Sequence, residues 1–512
     1  MVRLNTMTVF GPLVVASSIG YLLWRRRRRL KQEIHLMATR VGDSGGEERG
    51  AEPEEERHSD IAILGDVFCD ILLDFPADIT NKHEAGKDAP PILWGGDVVL
   101  PSPIVAMAGG SGLNTATHLA VTFGYRENPL SFPTPLPVRP ASAAVLWSAV
   151  GSDSWGDMIR SHAKQCGFVL NGITSAASTG VCVVFSGVRD RAFITHRGPI
   201  ADLALAQLPA TLSPPSPSSL SASSVPAMAL DASAILKNTK QHLHVAGYYN
   251  CPKLWGAPLG SLLRAAKEKH ELTTSLNAQY DATGEWGHLA GSVLPFVDII
   301  LVSRDEAAAI SGVKCTAEEE KLETGSMDST SPPSSVSINK TFASSIRAGN
   351  WFLDQGVRVA VITLGPNGAI AVVKSSSGLR PVLHQPVVSP AQRALCPPSP
   401  ASPEGCGAST SMTAPVEIDV VDTTGAGDAF NAGFLSGWVR EQGHAGEGED
   451  TSGASINVGG SPQDRAMVQL LTAVREGLRW GCAAGTCCVG KLGASVPMTL
   501  DEVARFLPPH PR

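Results

Sequence analysis

The residues best suited to chemistry lie in a short glycine-rich turn at 425–428, which reads Gly-Ala-Gly-Asp. Gly425 and Gly427 have no side chain, so a negatively charged group can approach their backbone closely. If a helix begins here, its first N–H groups have no partners within the helix and form an anion site. Asp428 repels an anion, but its carboxylate can take a proton from a hydroxyl that attacks a phosphoryl group. The turn therefore predicts phosphoryl transfer to a hydroxyl.

The residues on either side of this turn predict the elements that position it. Before the turn, apolar Val416, Ile418 and Val420 alternate with polar neighbours, as in a strand. After the turn, large apolar residues recur on one predicted helical face, at Phe430, Phe434, Leu435 and Trp438. An isolated turn of this kind also begins many ordinary helices, in which the aspartate only caps the first turn. The longer sequence context decides between the two interpretations.

Two longer motifs resemble the signatures of one enzyme family. Residues 422–434 read DTTGAGDAFNAGF and resemble the C-terminal signature of the ribokinase-like (PfkB) carbohydrate kinases. Residues 108–116 read AGGSGLNTA and resemble the N-terminal signature of that family. The resemblance covers 60–508. It implies a three-layer α/β/α domain with a mostly parallel central sheet and a small β lid, and the alternation of predicted strands and helices favours the same class.

The resemblance assigns catalytic roles within the turn. It implies that Asp428 is the general base, and that the N–H groups of Gly425, Ala426 and Gly427 hold the phosphoryl oxygens. It also implies ATP as the phosphoryl donor, together with Mg²⁺.

The resemblance also places a sugar site near the N-terminal motif. In the family, an aspartate after the first strand binds sugar hydroxyls, and Asp70 matches that position better than Asp66. Gly110, Asn114 and Asp428 complete the predicted substrate-binding set. Ribokinase itself has a carboxylate after the strand predicted at 241–246, where this chain has Tyr248.

The family motif Asn-x-x-Glu falls at 303–306, where Glu306 is retained and Ser303 replaces the asparagine. In the family this glutamate helps to organise Mg²⁺, a hard cation that prefers oxygen ligands and retains several waters. A first-turn glutamate is also favoured by the helix dipole alone. Ser303 is therefore a predicted nucleotide contact and Glu306 a predicted contact of both nucleotide and metal.

Two further sites follow from the resemblance. Residues 363–368 resemble the nucleotide-binding turn of the family, with Thr363, Gly365 and Gly368 as predicted contacts. Asp422 and Thr424 match positions that bind a potassium ion beside the anion site.

Two other motifs resemble nucleotide-binding loops but do not match them fully. Residues 485–492 lack the Ser or Thr that a P-loop needs for Mg²⁺, because Leu492 occupies that position. Residues 110–115 lack the third glycine of a dinucleotide fingerprint, because Thr115 replaces it. This disfavours a dehydrogenase.

The N-terminal segment predicts a membrane anchor. Residues 7–24 are largely apolar and five arginines follow at 25–29. A spanning helix needs about 20 apolar residues, and positive charge after the segment keeps the following chain in the cytosol. We therefore expect an anchor at 1–30, an acidic flexible tether at 31–59 and a cytosolic kinase domain at 60–508. The endoplasmic reticulum and the outer mitochondrial membrane are both suitable hosts, and organelle targeting or a soluble cytoplasmic protein are the alternatives.

Composition excludes some partners and predicts several inserts. The net charge of −7 gives no reason to expect nucleic-acid binding, and the 10 cysteines show no zinc spacing. Much of the 37 Pro lies in Ser-rich stretches, which predict low-complexity inserts at about 128–141, 206–231, 316–340, 375–415 and 443–462.

Alternatives remain within and beyond this reading. A nucleoside kinase of the same superfamily would retain every catalytic residue, whereas a membrane-tethered sugar sensor would tolerate their loss. Ser111 stands where several relatives carry lysine, which favours a free sugar over a sugar phosphate. Arg189, Arg191 or Arg197 on the predicted lid could still bind a phosphate. A homodimer through the lid is a further expectation.

Overall fold

The computed structural model of the chain describes residues 59–74, 97, 99–124, 144–186, 191–206, 229–324, 335–375, 378–387, 420–444 and 461–508. These residues belong to one compact unit. The predicted anchor and the predicted tether up to residue 58 lie outside the described residues, as does most of each predicted insert except that at 316–340, of which 325–334 lie outside. No helix in the described ranges is both long and apolar enough to cross a membrane.

The described strands share a pattern of short, strongly apolar segments, as is typical of a buried sheet. They are β1 Ser59–Gly65, β2 Phe68–Asp74, β3 Val105–Gly109, β4 Val145–Gly151, β5 Val169–Ser175, β6 Val181–Ser186, β7 Arg191–His196, β8 Ala204–Leu205, β9 Ala229–Leu230, β10 Thr239–Ala246, β11 Thr273–Asn277, β12 Ile299–Ser303, β13 Val359–Thr363, β14 Ala369–Val373 and β15 Val382–Gln385.

Nine of these strands form the central sheet, in the order β15-β14-β13-β12-β11-β10-β1-β4-β5. The pairs from β13 to β5 are parallel, whereas β14 and β15 are added antiparallel. Every residue of β1, β4 and β14 is buried. The predicted mostly parallel sheet is confirmed, and its carboxyl edge is where ligands gather in such folds.

A smaller sheet forms the predicted lid. Its order is β3-β2-β6-β7, in which β2 pairs parallel with β6 and the other two pairs are antiparallel. β2 follows β1 after a two-residue step, so the lid and the first central strand are joined closely. A separate two-stranded pair joins β8 and β9.

The helices of the described chain lie against the central sheet or against one another. They are α1 Ser111–Val121, α2 Ser154–Cys166, α3 Ala232–Lys237, α4 Ala257–His270, α5 Arg304–Ser311, α6 Ala317–Thr324, α7 Ser335–Thr341, α8 Ala343–Asp354, α9 Ala426–His444, α10 Pro462–Cys488 and α11 Leu500–Ala504. Several short 3-10 turns connect them.

The apolar face predicted after the glycine turn is present on α9. Phe430, Phe434 and Trp438 stack along the helix, with ring centroids 6.2 Å and 6.5 Å apart. All three are buried, and α9 packs along α10 and also contacts α1. The helix that carries Asp428 is therefore fixed in the core on several sides.

Some local expectations differ from the structure. Val420 lies in no strand and is 66% exposed, and the rest of the strand predicted before the turn lies outside the described residues. The insert predicted at 316–340 contains α6 and most of α7. The insert predicted at 375–415 contains β15, which pairs with β14. Short secondary-structure elements inside Ser- and Pro-rich stretches are poorly marked by composition.

Candidate active site

Asp428 is the third residue of α9, and its carboxylate lies at the centre of a buried hydrogen-bond cluster. The residue is 5% exposed. Its Oδ1 accepts from Ser111 Oγ at 2.7 Å and from Gln279 Nε2 at 3.2 Å, and its Oδ2 accepts from Asn114 Nδ2 at 2.9 Å. These bonds go to other elements rather than to the backbone of α9, so Asp428 does not act as a simple helix cap.

The donors come from two other elements. Ser111 and Asn114 lie in the first turn of α1, directly after the glycines of the N-terminal motif. Gln279 follows β11 at the carboxyl edge of the sheet, with a φ of 62° that is unusual for a residue with a side chain. Asn114, a predicted substrate contact, thus lies beside the predicted base. The contacts of Ser111 and Gln279 with Asp428 were missed from sequence.

Asn277, at the end of β11, extends the same cluster. Its Oδ1 lies 3.3 Å from Ser111 Oγ, and its Nδ2 donates to the carbonyl of Leu301 on β12 at 3.0 Å. Sequence analysis identified the strand but gave Asn277 no role. Its place at the carboxyl end of a buried parallel strand was the available signal.

Burial raises the pKa of Asp428 to about 6. The hydrogen bonds from Asn114 and Ser111, and the positive charge of Arg191, act in the opposite direction. The carboxyl is therefore ionised at neutral pH and titrates near it, which suits a general base.

The two glycines of the turn differ in the space around them. Gly425 has a φ of 77°, and a β-carbon there would lie 2.6 Å from Ala494 Cα. At Gly427, by contrast, a β-carbon would meet no heavy atom within 4 Å beyond its own neighbours and helix, among the described residues. Ala426 N lies 3.4 Å from Thr423 O, so its hydrogen bond is weak. The open space beside Gly427 fits the predicted anion site.

Asp422 joins the glycine turn to the loop after α10. Its Oδ1 accepts from Thr424 N at 2.9 Å and Thr424 Oγ1 at 2.7 Å, and its Oδ2 accepts from Gly493 N at 3.0 Å. The residue is 3% exposed, and within the described ranges it has no cationic side-chain partner. An unbalanced buried carboxylate fits the predicted monovalent-cation site, because a bound cation would balance its charge.

Asp70 lies on β2 of the lid and faces the same acidic pocket. It is 6% exposed and packs against Gly109. Burial raises its pKa well above the ordinary range, and the charges of Asp66, Asp428 and Asp422 add to this effect. Its carboxylate has no hydrogen-bond partner among the described residues, so it is free to accept from a substrate hydroxyl. Gly110, which is also a predicted substrate contact, is the N-cap residue of α1 and has a φ of 95°.

Tyr248 lies near the position where ribokinase carries a carboxylate, but it does not replace one. Its side chain is fully buried, and its hydroxyl donates to the carbonyl of His288 at 2.9 Å. Tyr248 therefore supports a loop instead of facing the pocket.

Ser303 and Glu306 form a capping box at the start of α5. Glu306 Oε2 accepts from Ser303 N at 2.9 Å, and Ser303 Oγ accepts from Glu306 N at 3.2 Å. Burial raises the pKa of Glu306 to about 7, and the charge of Asp428 contributes to that rise. No cationic side chain pairs with Glu306 in the described part of the chain. A divalent cation would favour its ionised form, so the residue fits the predicted metal role while it also caps the helix.

The predicted nucleotide turn lies further along the carboxyl edge of the sheet. Thr363 at the end of β13 pairs in register with Ser303 at the end of β12. Gly365–Asn367 form a 3-10 turn, and Gly368 O accepts from Leu364 N at 2.8 Å. The structure thus brings Thr363 beside Ser303, but among the described residues no hydrogen bond joins this turn to Asp428.

One lid arginine reaches the glycine turn. Arg191 on β7 donates from Nη1 to Thr423 Oγ1 at 2.5 Å, directly before Thr424 and Gly425. Arg197 donates instead to the carbonyl of Tyr249 at 3.2 Å. Arg189 lies outside the described residues. The lid therefore supplies positive charge at the turn itself.

Comparisons with known proteins bear on the family and the fold. The family profile of the "pfkB family carbohydrate kinase" matches residues 88–391 and 405–500. Ribokinase from Giardia lamblia superposes with a TM-score of 0.54 at 16% identity, over 88% of this chain and 100% of that one. Arabidopsis thaliana ribokinase, solved with ribose and ATP, gives a TM-score of 0.50 at 16% identity, over 88% of this chain and 98% of that one. At such identities these likenesses show the ribokinase-like fold. No curated protein sequence matches the chain.

Proposed function

The chain belongs to the PfkB family of carbohydrate kinases, and on that premise we propose that it transfers the γ-phosphoryl group of ATP to a sugar hydroxyl with Asp428 as general base. One observation carries this proposal. The base and the glycine turn lie at one helix start, and Asp428 accepts hydrogen bonds from Ser111 and Asn114 of the N-terminal motif. The proton acceptor, the anion site and the sugar-side motif therefore meet at one point.

The proton transfer follows from the state of Asp428. At neutral pH the carboxylate is ionised, because burial raises its pKa only to about 6. It takes the proton of the acceptor hydroxyl as that oxygen attacks the γ-phosphorus and the bond to the β-phosphate oxygen of ATP breaks. Asn114 and Ser111 hold the carboxylate in place during this step.

The N–H groups of Gly425, Ala426 and Gly427 are proposed to bind the transferring phosphoryl oxygens. The open space at Gly427 and the fixed backbone at Gly425 support this role. Donors that are oriented before the reaction stabilise developing charge without further reorganisation. The positive charge of Arg191, held at Thr423, acts in the same direction.

Sugar binding is assigned to Asp70, Gly110 and Asn114. The Asp70 carboxyl is buried and has no hydrogen-bond partner among the described residues, so it can bond to a sugar hydroxyl. Nucleotide binding is assigned to Ser303, Glu306, Thr363, Gly365 and Gly368, at the carboxyl ends of β12 and β13.

Two cations complete the proposed site. Mg²⁺, when bound, neutralises charge on the phosphates, and Glu306 is the residue of this chain that fits it. Potassium, when bound at Asp422 and Thr424, balances buried charge beside the turn. In both places the chain supplies oxygen ligands without a cationic side chain among the residues described.

The pocket favours a neutral acceptor. Asp66, Asp70 and Asp428 are all buried. The charge of Asp428 raises the pKa of Asp66, and the charges of Asp66 and Asp428 raise the pKa of Asp70. Both described lid arginines already donate to the protein, at Thr423 and at the carbonyl of Tyr249. A phosphate on the acceptor would meet carboxylates first, so we infer that the substrate is a free sugar.

Substrate identity is tested by ADP release from a panel of hexoses, pentoses, nucleosides and fructose 6-phosphate. The Asp428→Asn variant supplies the background for each compound. The proposal expects the highest kcat/KM with a free sugar. A nucleoside as the best substrate would establish the alternative within the superfamily. A higher kcat/KM for fructose 6-phosphate than for every free sugar would contradict the inference about charge. If none of the compounds is turned over, the alternative of a membrane-tethered sugar sensor would be favoured.

We further propose that residues 1–30 anchor the protein in a membrane, that 31–59 form a tether and that the kinase domain lies in the cytosol. The arginines at 25–29 after the apolar segment support this orientation. A homodimer through the lid is also proposed, because β7 exposes Phe193 and Ile194 by 50% and 64%. Sedimentation of wild type and Ile194→Asp would show a monomer in the variant alone.

A further inference from the structure

Asp66 is a buried carboxylate beside the proposed active site, and both of its oxygens accept hydrogen bonds from the protein. It follows β1 directly and is 1% exposed. Its Oδ1 accepts from Gly112 N at 3.0 Å, and its Oδ2 accepts from Asn250 Nδ2 at 2.6 Å. One side chain therefore joins the end of β1 to two other segments.

The first of these segments is the start of α1. Its N-cap residue, Gly110, provides no side-chain hydrogen bond to the free N–H groups of the first turn. Asp66 supplies that acceptor from another strand, and its negative charge is favourable at a helix N-terminus. The same turn carries Ser111 and Asn114, which donate to Asp428. Asp66 thus fixes the segment that orients the base from one side.

The second segment leads to the other donor. Asn250 lies in the short turn Tyr248–Asn250 after β10. In that turn, Tyr249 N donates to Ala278 O at 3.1 Å. The next residue is Gln279, whose amide donates to Asp428. The Asp66–Asn250 bond therefore supports the Gln279 side of the same carboxylate.

We propose that Asp66 is a positioning residue that holds both donor segments, the start of α1 and the 277–279 segment, in register around Asp428. The inference rests on the proposed function, because it takes Asp428 to be the base. It adds that the order of the base depends on the two hydrogen bonds of a second buried side chain, which is given no contact with the reacting atoms.

Because several charged groups surround Asp66, a new carboxyl placed beside it should disturb its positioning role. The bonds to its carboxylate come from N–H donors, so they favour the ionised form. Burial raises its pKa to about 7, whereas the bonds from Gly112 and Asn250 lower it. Asp70 and Asp428 face it from β2 and α9, and Cys251 lies within its electrostatic range on the Asn250 side. Arg197 is the cation on that side, and it acts on Cys251.

The test is a double-mutant cycle between Asp66 and Asn250 in the full chain. In Asp66→Asn, the new amide can accept from Gly112 and donate to Asn250 once the Asn250 amide turns over. We expect a loss in kcat/KM for the sugar of no more than about threefold. In Asn250→Asp, two carboxyl groups face each other, and the hydrogen bond between them persists only while one of them is protonated. We expect a loss of about 10²-fold at pH 8.

The pH dependence separates positioning from general damage. The ratio of Asn250→Asp to wild-type activity should rise as the pH falls, because the carboxyl pair then holds its shared proton. In Asp66→Asn/Asn250→Asp the amide and carboxylate exchange places. This double variant should have the same kcat/KM as Asp66→Asn. The ratio of the double variant to wild type should not change with pH in the way expected for Asn250→Asp. The KM for ATP should stay within about twofold throughout, since the nucleotide turn is not connected to Asp66.

Two controls keep the outcome clear. Calorimetric ATP affinity and the melting temperature report folding, and Asn250→Ala, with an expected loss of about tenfold, replaces Asn250→Asp if that variant does not fold. A double variant no better than Asn250→Asp, or wild-type activity in both Asn250 variants, overturns the inference. Asp428→Asn is assayed alongside. If it keeps its turnover, the proposed function fails. If it is inactive and the cycle shows no coupling, only the positioning role fails.

Discussion

Asn114 Nδ2 lies 2.9 Å from Asp428 Oδ2, although the two residues are 314 positions apart in the chain. Asn114 belongs to the N-terminal motif and lies in the first turn of α1, and Asp428 belongs to the C-terminal motif and lies in the first turn of α9. The two motifs are therefore two halves of one site, which only the folded sheet brings together. The expectations below follow from that meeting point and from its charges.

Asp70→Ala should weaken sugar binding far more than ATP binding. The sugar hydroxyls would lose a buried carboxyl that has no other hydrogen-bond partner among the described residues, whereas the nucleotide turn would be unchanged. Calorimetry with each ligand separately measures both effects. Asp74→Ala, at the end of the same strand, is the matched control, because Asp74 bonds Ser102 instead. Equal losses for both ligands would show that Asp70 supports the fold and not the sugar.

The kcat/KM for the sugar should fall as the pH is lowered through about 6. Burial raises the pKa of Asp428 to about 6, and only its ionised form accepts a proton. A pH profile between 5 and 8.5 at saturating ATP would show the decline. A profile that stays flat down to pH 5 would show that the rate does not depend on the ionisation of Asp428.

The contribution of the buried carboxyls to thermal stability should change in the opposite direction over the same interval. Burial raises the folded-state pKa of Asp428 to about 6 and of Glu306 to about 7, above their ordinary values. Below these values the two groups bind more protons in the folded chain than in the unfolded chain, so their contribution to stability rises as the pH falls from 8 towards 5. Burial lowers the pKa of His118 and His162 to about 4 and of His242 and His244 to about 3, so these histidines act in the opposite direction. Melting temperatures of wild type and Asp428→Asn, measured without ligands, isolate the carboxyl. The wild type should gain on the variant as the pH falls, and a constant difference between the two would contradict this.

Potassium should raise the activity through Asp422 and Thr424. These residues join the glycine turn to the loop at Gly493, so a cation there would order the anion site without touching the substrate. Rates in potassium, sodium and a bulky organic cation should differ for wild type and converge for Asp422→Asn. Identical wild-type rates in all three salts would remove the cation site.

The predicted cytosolic topology has an internal reporter. Asn339-Lys340-Thr341 is a glycosylation sequon, and Asn339 is exposed on α7. On a cytosolic domain it stays unmodified. A glycosidase-sensitive mass shift that disappears in Asn339→Gln would place the domain in a lumen. Complete release by carbonate extraction would exclude the anchor at 8–24.

Sequence predicted the parts of this site that depend on local pattern. The glycine turn, the helix face after it, most central strands and the lid strands followed from spacing and motifs. The contacts of Ser111 and Gln279 with Asp428 could not be predicted, because they join positions 317 and 149 residues apart and depend on the packing of α1 and β11.

The capping box of Ser303 and Glu306 is a different case. The spacing Ser-x-x-Glu before an apolar helix was visible in the sequence, and it explains why both side chains are partly occupied within the protein. The family resemblance drew attention to a metal role and away from this simpler pattern.

The central claim is that Asp428 is the general base, and its replacement by asparagine tests it most directly. Asp464 provides a matched control, because it is likewise the third residue of a helix but is exposed and caps its own helix through Ser461. Asp464→Asn should keep its kcat. Asp428→Asn should lose roughly 10²–10⁴-fold in kcat, with sugar and ATP affinities largely unchanged by calorimetry. An Asp428→Asn enzyme that retains half of the wild-type kcat would contradict the account.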